Sequence, residues 1–565
     1  MTPYALPRRS ATSLAIGALL IGGLLGADAA TAAKKKTCKP APKANCAGVN
    51  LAKRNLAGKN LKGINLKGAN LTRANLKGAN LTGATLTNAK LGRANLTNAI
   101  VTGARMGGAS VNGATVTGLV SGSVSGTPNS LPTGWQLNTG YLMGPGANLT
   151  GANLIGQTLT AVNLTGATLT GALLTGATAY ASTFTNAAMG NVNLAGATIT
   201  TSTLGGANLT GASLVGATFT ASSAVNANLT GANLTAATMS GTDLTGANLS
   251  RVSGRAATFS GATLKGANLS GAALGGNAQN SVALDGADLT GANLSTAVLG
   301  YADLANATLT NATITGADLR NTTYDGLRSG GLTTGAGTRL PSGTWVVGGY
   351  FIGEQVNLSG ANLSNQVLTG LDFQGADLTR ANFSGARLLN ASLANATAVG
   401  ADFTGANLIL ATLGGADLRE SSVAKATLTS ASFDGSLVNA FYGTTGGGST
   451  TLTQNPPTVL TNMSGLDLAG VDLSSTSKYW WQVDLTGANL AATIFPSNGE
   501  FYYSVFARAN LAGTDFRHAG GGEVKFRYAN FTGATGVPAT IAGSPLWTDV
   551  VCPNGTLQNT ACAFS

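Results

Sequence analysis

Every fifth residue from Leu51 to Val116 is apolar, fourteen positions in succession that begin Leu51, Leu56, Leu61, Leu66 and Leu71. The register returns at Leu149 and runs to Tyr324 over 36 positions, weak only at Ala179, Ala224, Gly254 and Gln279. A third run takes 17 positions from Leu358 to Val438. The unit reads small, Asn or Asp, Leu, Thr or Ser, Gly, as in Ala147-Asn148-Leu149-Thr150-Gly151. Neither regular element accommodates this period. On an α-helix five residues turn through ~500°, so the leucines would spiral around the surface. On a strand an odd step sends successive leucines to opposite faces. The pattern builds a core only if the chain bends by about a quarter turn per repeat. Four repeats then close a square coil, every Leu points at the axis, and residues 20 apart stack. Ala69, Ala74 and Ala79, two residues before a Leu, also point inward. Gly58, Gly63, Gly68 and Gly78 supply the permissive turn dihedrals. The 67 repeats make nearly 17 coils, a stack on the order of 80 Å at ~4.8 Å per coil.

The A(N/D)LxG units resemble the pentapeptide-repeat family. The resemblance implies an all-β fold, a right-handed quadrilateral β-helix with four pentapeptides per coil, and the handedness rests on it alone. It says little about function, because such scaffolds host many roles. One role known in the family, a DNA-mimicking topoisomerase inhibitor, needs an acidic rod. This chain carries +11 and an export leader, so that reading is disfavoured.

Residues 1–33 read as a signal peptide: Arg8 and Arg9, then the apolar run Leu14 to Gly26, then the cleavage candidates Ala27-Asp28-Ala29 and Ala30-Thr31-Ala32. The export route, general secretory or twin-arginine, stays open. Residues 34–50 are expected to form a basic Cys-containing cap, 51–118 the first repeat run, 119–147 an insert, 148–325 the second run, 326–356 an insert and 357–438 the third run. An insert at 439–462, irregular aromatic-rich repeats at 463–535 and a Cys-containing cap at 536–565 follow. The first two inserts are related, LPTGWQLNTGYLMG and LPSGTWVVGGYFIG, and are expected to form hairpins or loops on the side of the stack, with Trp135, Tyr141, Trp345 and Tyr350 as anchors. Leu149 follows Val116 by 33 positions, not a multiple of five, so phase should be lost there.

Four cysteines permit three pairings, and the local one, Cys38 with Cys46 and Cys552 with Cys562, avoids joining the two ends of a long stack. An exported chain permits disulfides, here tying down the end coils. One His, His518, leaves little for metal or triad chemistry. Twelve of the 21 acidic residues, Asp243, Asp288, Asp303 and Asp318 among them, occupy the Asn slot before a central apolar residue, where a side-chain to backbone role is expected instead of catalysis. No catalytic, cofactor or metal residue is assigned, and no enzyme activity is expected.

Charge is uneven. No acidic residue occurs from Ala29 to Thr242, whereas fifteen basic residues lie between Lys34 and Arg105. With four repeats per coil, Lys53, Arg73 and Arg93 form a vertical column, a candidate contact for an anionic wall polymer or lipid headgroups. Arg54 and Lys59 fall in the inward slot, so the first coil should be open there. Thr158, Thr178, Thr198, Thr218, Thr238 and Thr258 form a second column, with hydroxyl partners two residues on except at Tyr180. Asn208, Asn228, Asn248 and Asn268 form a third. The expected function is an exported, non-enzymatic structural or interaction protein outside the cell or on its wall, with a basic N-terminal end. The alternative is a surface-binding module for polysaccharide or ice, acting through the Thr face or the aromatic inserts. The partner is unassigned: a wall polymer or another protein, with no nucleic acid and no membrane span after leader removal.

Overall fold

The computed structural model describes residues 36–419 without a break, then 421–423, 426–428, 431 and shorter stretches between 461 and 558. The signal peptide expected at residues 1–33 falls outside the described residues. Asn45 pairs in parallel with Asn65, Asn65 with Thr85 and Thr85 with Arg105, and the 20-residue spacing repeats on each side of the coil. At one such step the Leu66 N–H donates to the Thr85 carbonyl at 2.8 Å and the Asn65 N–H to the Ala44 carbonyl at 2.9 Å. Four pentapeptides therefore make one turn of a right-handed quadrilateral β-helix. Each corner closes with a turn in which the Ala69 N–H donates to the Leu66 carbonyl at 3.0 Å and Gly68 takes φ +65°. A positive φ at the third turn residue is why Gly and Asn recur there. The Asn or Asp before each central residue caps the corner: Asn70 Oδ1 accepts from the Thr72 N–H at 3.1 Å, and Asp243 Oδ1 from the Thr245 N–H at 3.0 Å. Leucines 61, 66, 71, 76 and 81 are fully buried, as are Ala69, Ala74 and Ala79. Each fully buried leucine contributes ~2 kcal/mol, which offsets the entropy of ordering so many glycines.

The coil begins earlier than the repeat pattern suggests. Asn45 is already paired and Cys46 fills a buried central position, bonded to Cys38 at a Cα separation of 5.4 Å. Cys552 is also disulfide-bonded, and Cys562 lies outside the described residues.

One side departs from the common corner. Strands β3 (Thr158–Thr160), β4 (Thr178–Tyr180), β5 (Thr198–Thr200) and β6 (Thr218–Thr220) form a four-stranded parallel sheet. Here serine hydroxyls take over the corner bond. Ser182 Oγ accepts from the Val162 N–H at 3.1 Å and donates to the Leu159 carbonyl at 2.7 Å. Ser202 Oγ accepts from the Ser182 N–H at 3.1 Å, and Ser222 Oγ from the Ser202 N–H at 3.2 Å. All three serines are buried.

The two inserts are one module used twice, and they enter the core. Strands β1 (Gln136–Asn138) and β2 (Tyr141–Met143) form an antiparallel hairpin, as do β7 (Trp345–Val347) and β8 (Tyr350–Ile352). Leu142, Met143, Phe351 and Ile352 are at most 2% exposed, so the hairpins do not lie on the flank. Buried Ser121 Oγ accepts the Leu142 N–H at 2.9 Å, and Ser329 Oγ the Phe351 N–H at 2.8 Å. Tyr141 OH accepts the Asn153 N–H, and Tyr350 OH the Asn362 N–H. Alignment survives both inserts, contrary to the arithmetic of the spacing, because Val120 pairs with Asn148 and Arg328 with Asn357. Trp135 and Trp345 are not equivalent. Trp135 packs over Gly144, and its place in the second module is taken by Thr344, whereas Trp345 stands 43% exposed on the hairpin's outer face and anchors nothing in the core.

Gln279 is not a coil side. Thr258 pairs with Ala283 and Ala273 with Val298, 25 residues apart, so the segment around 277–281 is looped out. Further on, Tyr479–Trp481, Glu500–Tyr502, Lys525–Arg527 and Trp547–Thr548 pair as parallel strands. Phe501 is buried there, its ring 5.3 Å from Phe495 and 5.4 Å from Phe506, which is packing in place of leucine.

Candidate functional site

Lys53, Arg73 and Arg93 lie one above another at a single corner, each with positive φ (58°, 56° and 57°) and each exposed. The stacking follows from the pairs Asn50–Asn70–Lys90 on the adjoining side. Lys90 adds a cation to that side. Arg54 and Lys59 are exposed in the slot that Ala74 and Ala79 fill one coil later, so the first coil is open there, as the sequence implies. The ion pairs found among the described residues, such as Lys265–Asp288 at 3.1 Å, Arg320–Asp318 at 2.7 Å and Arg419–Asp417 at 2.6 Å, lie well beyond this region.

The threonine column is also brought together. Thr158, Thr178, Thr198 and Thr218 are in register within the sheet, and Thr238 and Thr258 extend it by single pairs. Tyr180 sits in the neighbouring column between Thr160 and Thr200, 54% exposed. The column ends where the loop around 277–281 brings Ala283 over Thr258. Counting sides from the Val120–Asn148 pair places Thr158 on the same side of the prism as Asn50, Asn70, Lys90, Ser110 and Ser130. The asparagine column forms a side-chain ladder on another side, with Asn268 Nδ2 donating to Asn248 Oδ1 at 3.2 Å.

The acidic residues do structural work. Asp318 accepts from Arg320 Nε at 2.9 Å and Nη2 at 2.7 Å, and this guanidinium holds its carboxyl below the ordinary Asp range. A folded pKa below the unfolded one gives stabilisation that is complete above the ordinary Asp value and is lost as pH falls through the folded value. Asp318→Asn is therefore expected to shrink the acid-side fall in melting temperature slightly, which melting curves across that range would read. Among the described residues no cluster of three His, Cys, Asp or Glu could hold a metal ion, and no helix is long and apolar enough to cross a membrane.

The buried serines went unnoticed in the sequence, although Ser182, Ser202 and Ser222 recur at 20 in the inward slot. A hydroxyl in a slot normally given to Ala is the signal that the corner bond has changed.

A family profile described as pentapeptide repeats matches residues 44–83, 79–118, 146–177, 212–251, 287–323, 354–385 and 386–423. Among solved structures, full-length QnrB1, a plasmid-mediated fluoroquinolone resistance protein, is 19% identical over 33% of this chain and 91% of its own, with a TM-score of 0.19. HetL, a pentapeptide repeat protein involved in heterocyst differentiation regulation from the cyanobacterium Nostoc sp. Strain PCC 7120, is 22% identical over 52% and 90%, with a TM-score of 0.11. Rfr23 from the cyanobacterium Cyanothece 51142 is 33% identical over 20% and 63%, with a TM-score of 0.09. Superpositions this poor carry no argument about function. No curated protein matches the chain.

Proposed function

The chain belongs to the pentapeptide-repeat family, and from that premise we propose that it is an exported, non-enzymatic interaction scaffold whose basic N-terminal coils hold an anionic polymer at the cell exterior. The supporting observation is the column of Lys53, Arg73 and Arg93, exposed on a scaffold that supplies no carboxylate before Asp243. A fixed row of cations, whose attraction reaches ~10 Å at ~0.1 M salt and further at low salt, favours a multivalent anion over a small one. The leader-like residues 1–33 support a polymer met outside the cytoplasm. The repeat core supplies rigidity, because the buried leucines and the coil-to-coil hydrogen bonds fix each side chain's height along the axis.

The test is capture of the purified protein on isolated cell-envelope material at low and at high salt. Capture at low salt and release by salt is expected. Salt-insensitive capture, or none, contradicts the reading.

A further inference from the structure

A stacking rule links corners 20 residues apart, and one column of cations breaks it. A side chain at a positive-φ corner lies over the corresponding corner of the next coil. Nine corner asparagines, Asn88, Asn98, Asn186 and Asn306 among them, are each followed 20 residues on by Gly, where an added Cβ would strike the Asn Oδ1. Isolated cations obey the same rule. Lys43 is followed by Gly63, Arg251 by Gly271 and Arg380 by Gly400, each with the cation's Cγ 3.4–3.7 Å from where a Cβ would sit. Outside the four-stranded face, where Ala161, Ala181, Thr201 and Ala221 hold the corner, Ala236–Ala256, Tyr301–Asn321 and Asn390–Leu410 are departures by two residues. Lys53–Arg73–Arg93 is the one run of three cations among the described residues, and it ends on Gly113.

This column breaks two local rules at once. Three residues that are poorly suited to positive φ replace Gly or Asn. Three like charges stand at the coil rise of ~4.8 Å with no carboxylate to relieve them. Nothing inside the protein compensates, and such uncompensated conflicts mark functional positions. The same side of the prism continues, about three coils or ~14 Å further on, as the hydroxyl ranks of Thr158–Thr258 with exposed Tyr180 beside them. Cations lead into aligned hydroxyls and an aromatic face along one straight edge.

Resting on the proposed function above, we propose that the Lys53–Arg73–Arg93 corner and the Thr158–Thr258 face form one continuous track for a linear polyuronate lying parallel to the coil axis. The cations take carboxylates, and the Thr ranks and Tyr180 take sugar hydroxyls and ring faces. A polyphosphate would use the cations but gain nothing from the hydroxyl ranks, and single-stranded nucleic acid would need aromatics between the cations, where there are none.

The test measures binding of the full-length protein to polygalacturonate, polyphosphate and neutral dextran over a salt series. Arg73→Gly with Arg93→Gly suits the corner dihedrals, so the variant should keep its melting temperature. It is expected to lose roughly tenfold or more in polygalacturonate affinity at low salt and to show a shallower salt dependence. Lys62→Ser with Lys67→Ser, off the column, should keep the parent's affinity more closely. Tyr180→Ala with Thr198→Ala should weaken polygalacturonate binding and leave polyphosphate binding unchanged. If the parent binds polygalacturonate and the Arg73/Arg93 variant binds as well, the track is overturned while the polyanion reading stands. Equal loss of both polymers on changing Tyr180 and Thr198, or no loss of either, also overturns the track. If the parent binds no polyanion, both readings fall.

Discussion

Replacing Ser182, Ser202 and Ser222 together by alanine is expected to destabilise the second repeat run by about 5 kcal/mol, since three buried N–H groups each lose a partner at roughly 1–3 kcal/mol. The groups are the N–H of Val162, Ser182 and Ser202, which have no corner carbonyl to return to because the extended strands β3–β6 occupy that geometry. Threonine in place of each serine should restore most of the loss, as Thr242 continues the column with its Oγ1 on the Phe219 carbonyl at 3.3 Å. Because coils contact only their neighbours, the damage should be local. Hydrogen exchange at residues 162, 182 and 202 should accelerate while that of Leu66 or Leu71 does not change. Uniform acceleration would mean the ladder is not a local device.

Trp135→Ala should cost about 3 kcal/mol, at the low end for a large aromatic because the ring is only part-buried. The ring packs on the Gly144 backbone and, with Val116, Leu119 and Leu142, encloses a void of only about 10 Å³, so truncation leaves an unfilled space between two core clusters. The second module solves the same problem in reverse. Tyr324 stands where the first has Val116, Thr344 where it has Trp135, and the Tyr324 ring lies 5.2 Å from Phe351. Val116→Tyr combined with Trp135→Thr is therefore expected to recover much of the loss that Trp135→Thr causes alone, a coupling that a double-mutant cycle measures directly. Strict additivity would show that the two modules are not packed equivalently.

The sequence made the coil legible because a period of five leaves few alternatives: leucines at 51, 56 and 61 can share an axis only if the chain turns at every repeat. The stacked columns followed from the same count, and the open slot at Arg54 and Lys59 followed from charge in an alanine position. The inserts misled the count because spacing in residues is not spacing in coils. Hairpins β1–β2 and β7–β8 double back and return the chain to register at Asn148 and Asn357. Gln279 misled it in the other direction, since a whole pentapeptide can loop out without disturbing the period. The two inserts' tryptophans were paired by composition, although alignment of their Leu-Pro starts sets Trp135 against Thr344. The candidate track needed coordinates, because only the φ values and the Asn-over-Gly stacking reveal that a run of three cations is out of place.

Within an uninterrupted repeat run, residues 20 apart are one coil apart along a straight axis. Spin labels at Thr158 and Thr258, five coils apart on one side, should report a single narrow distance near 24 Å at ~4.8 Å per coil. A broad distribution, or a distance far from that value, would contradict the coil.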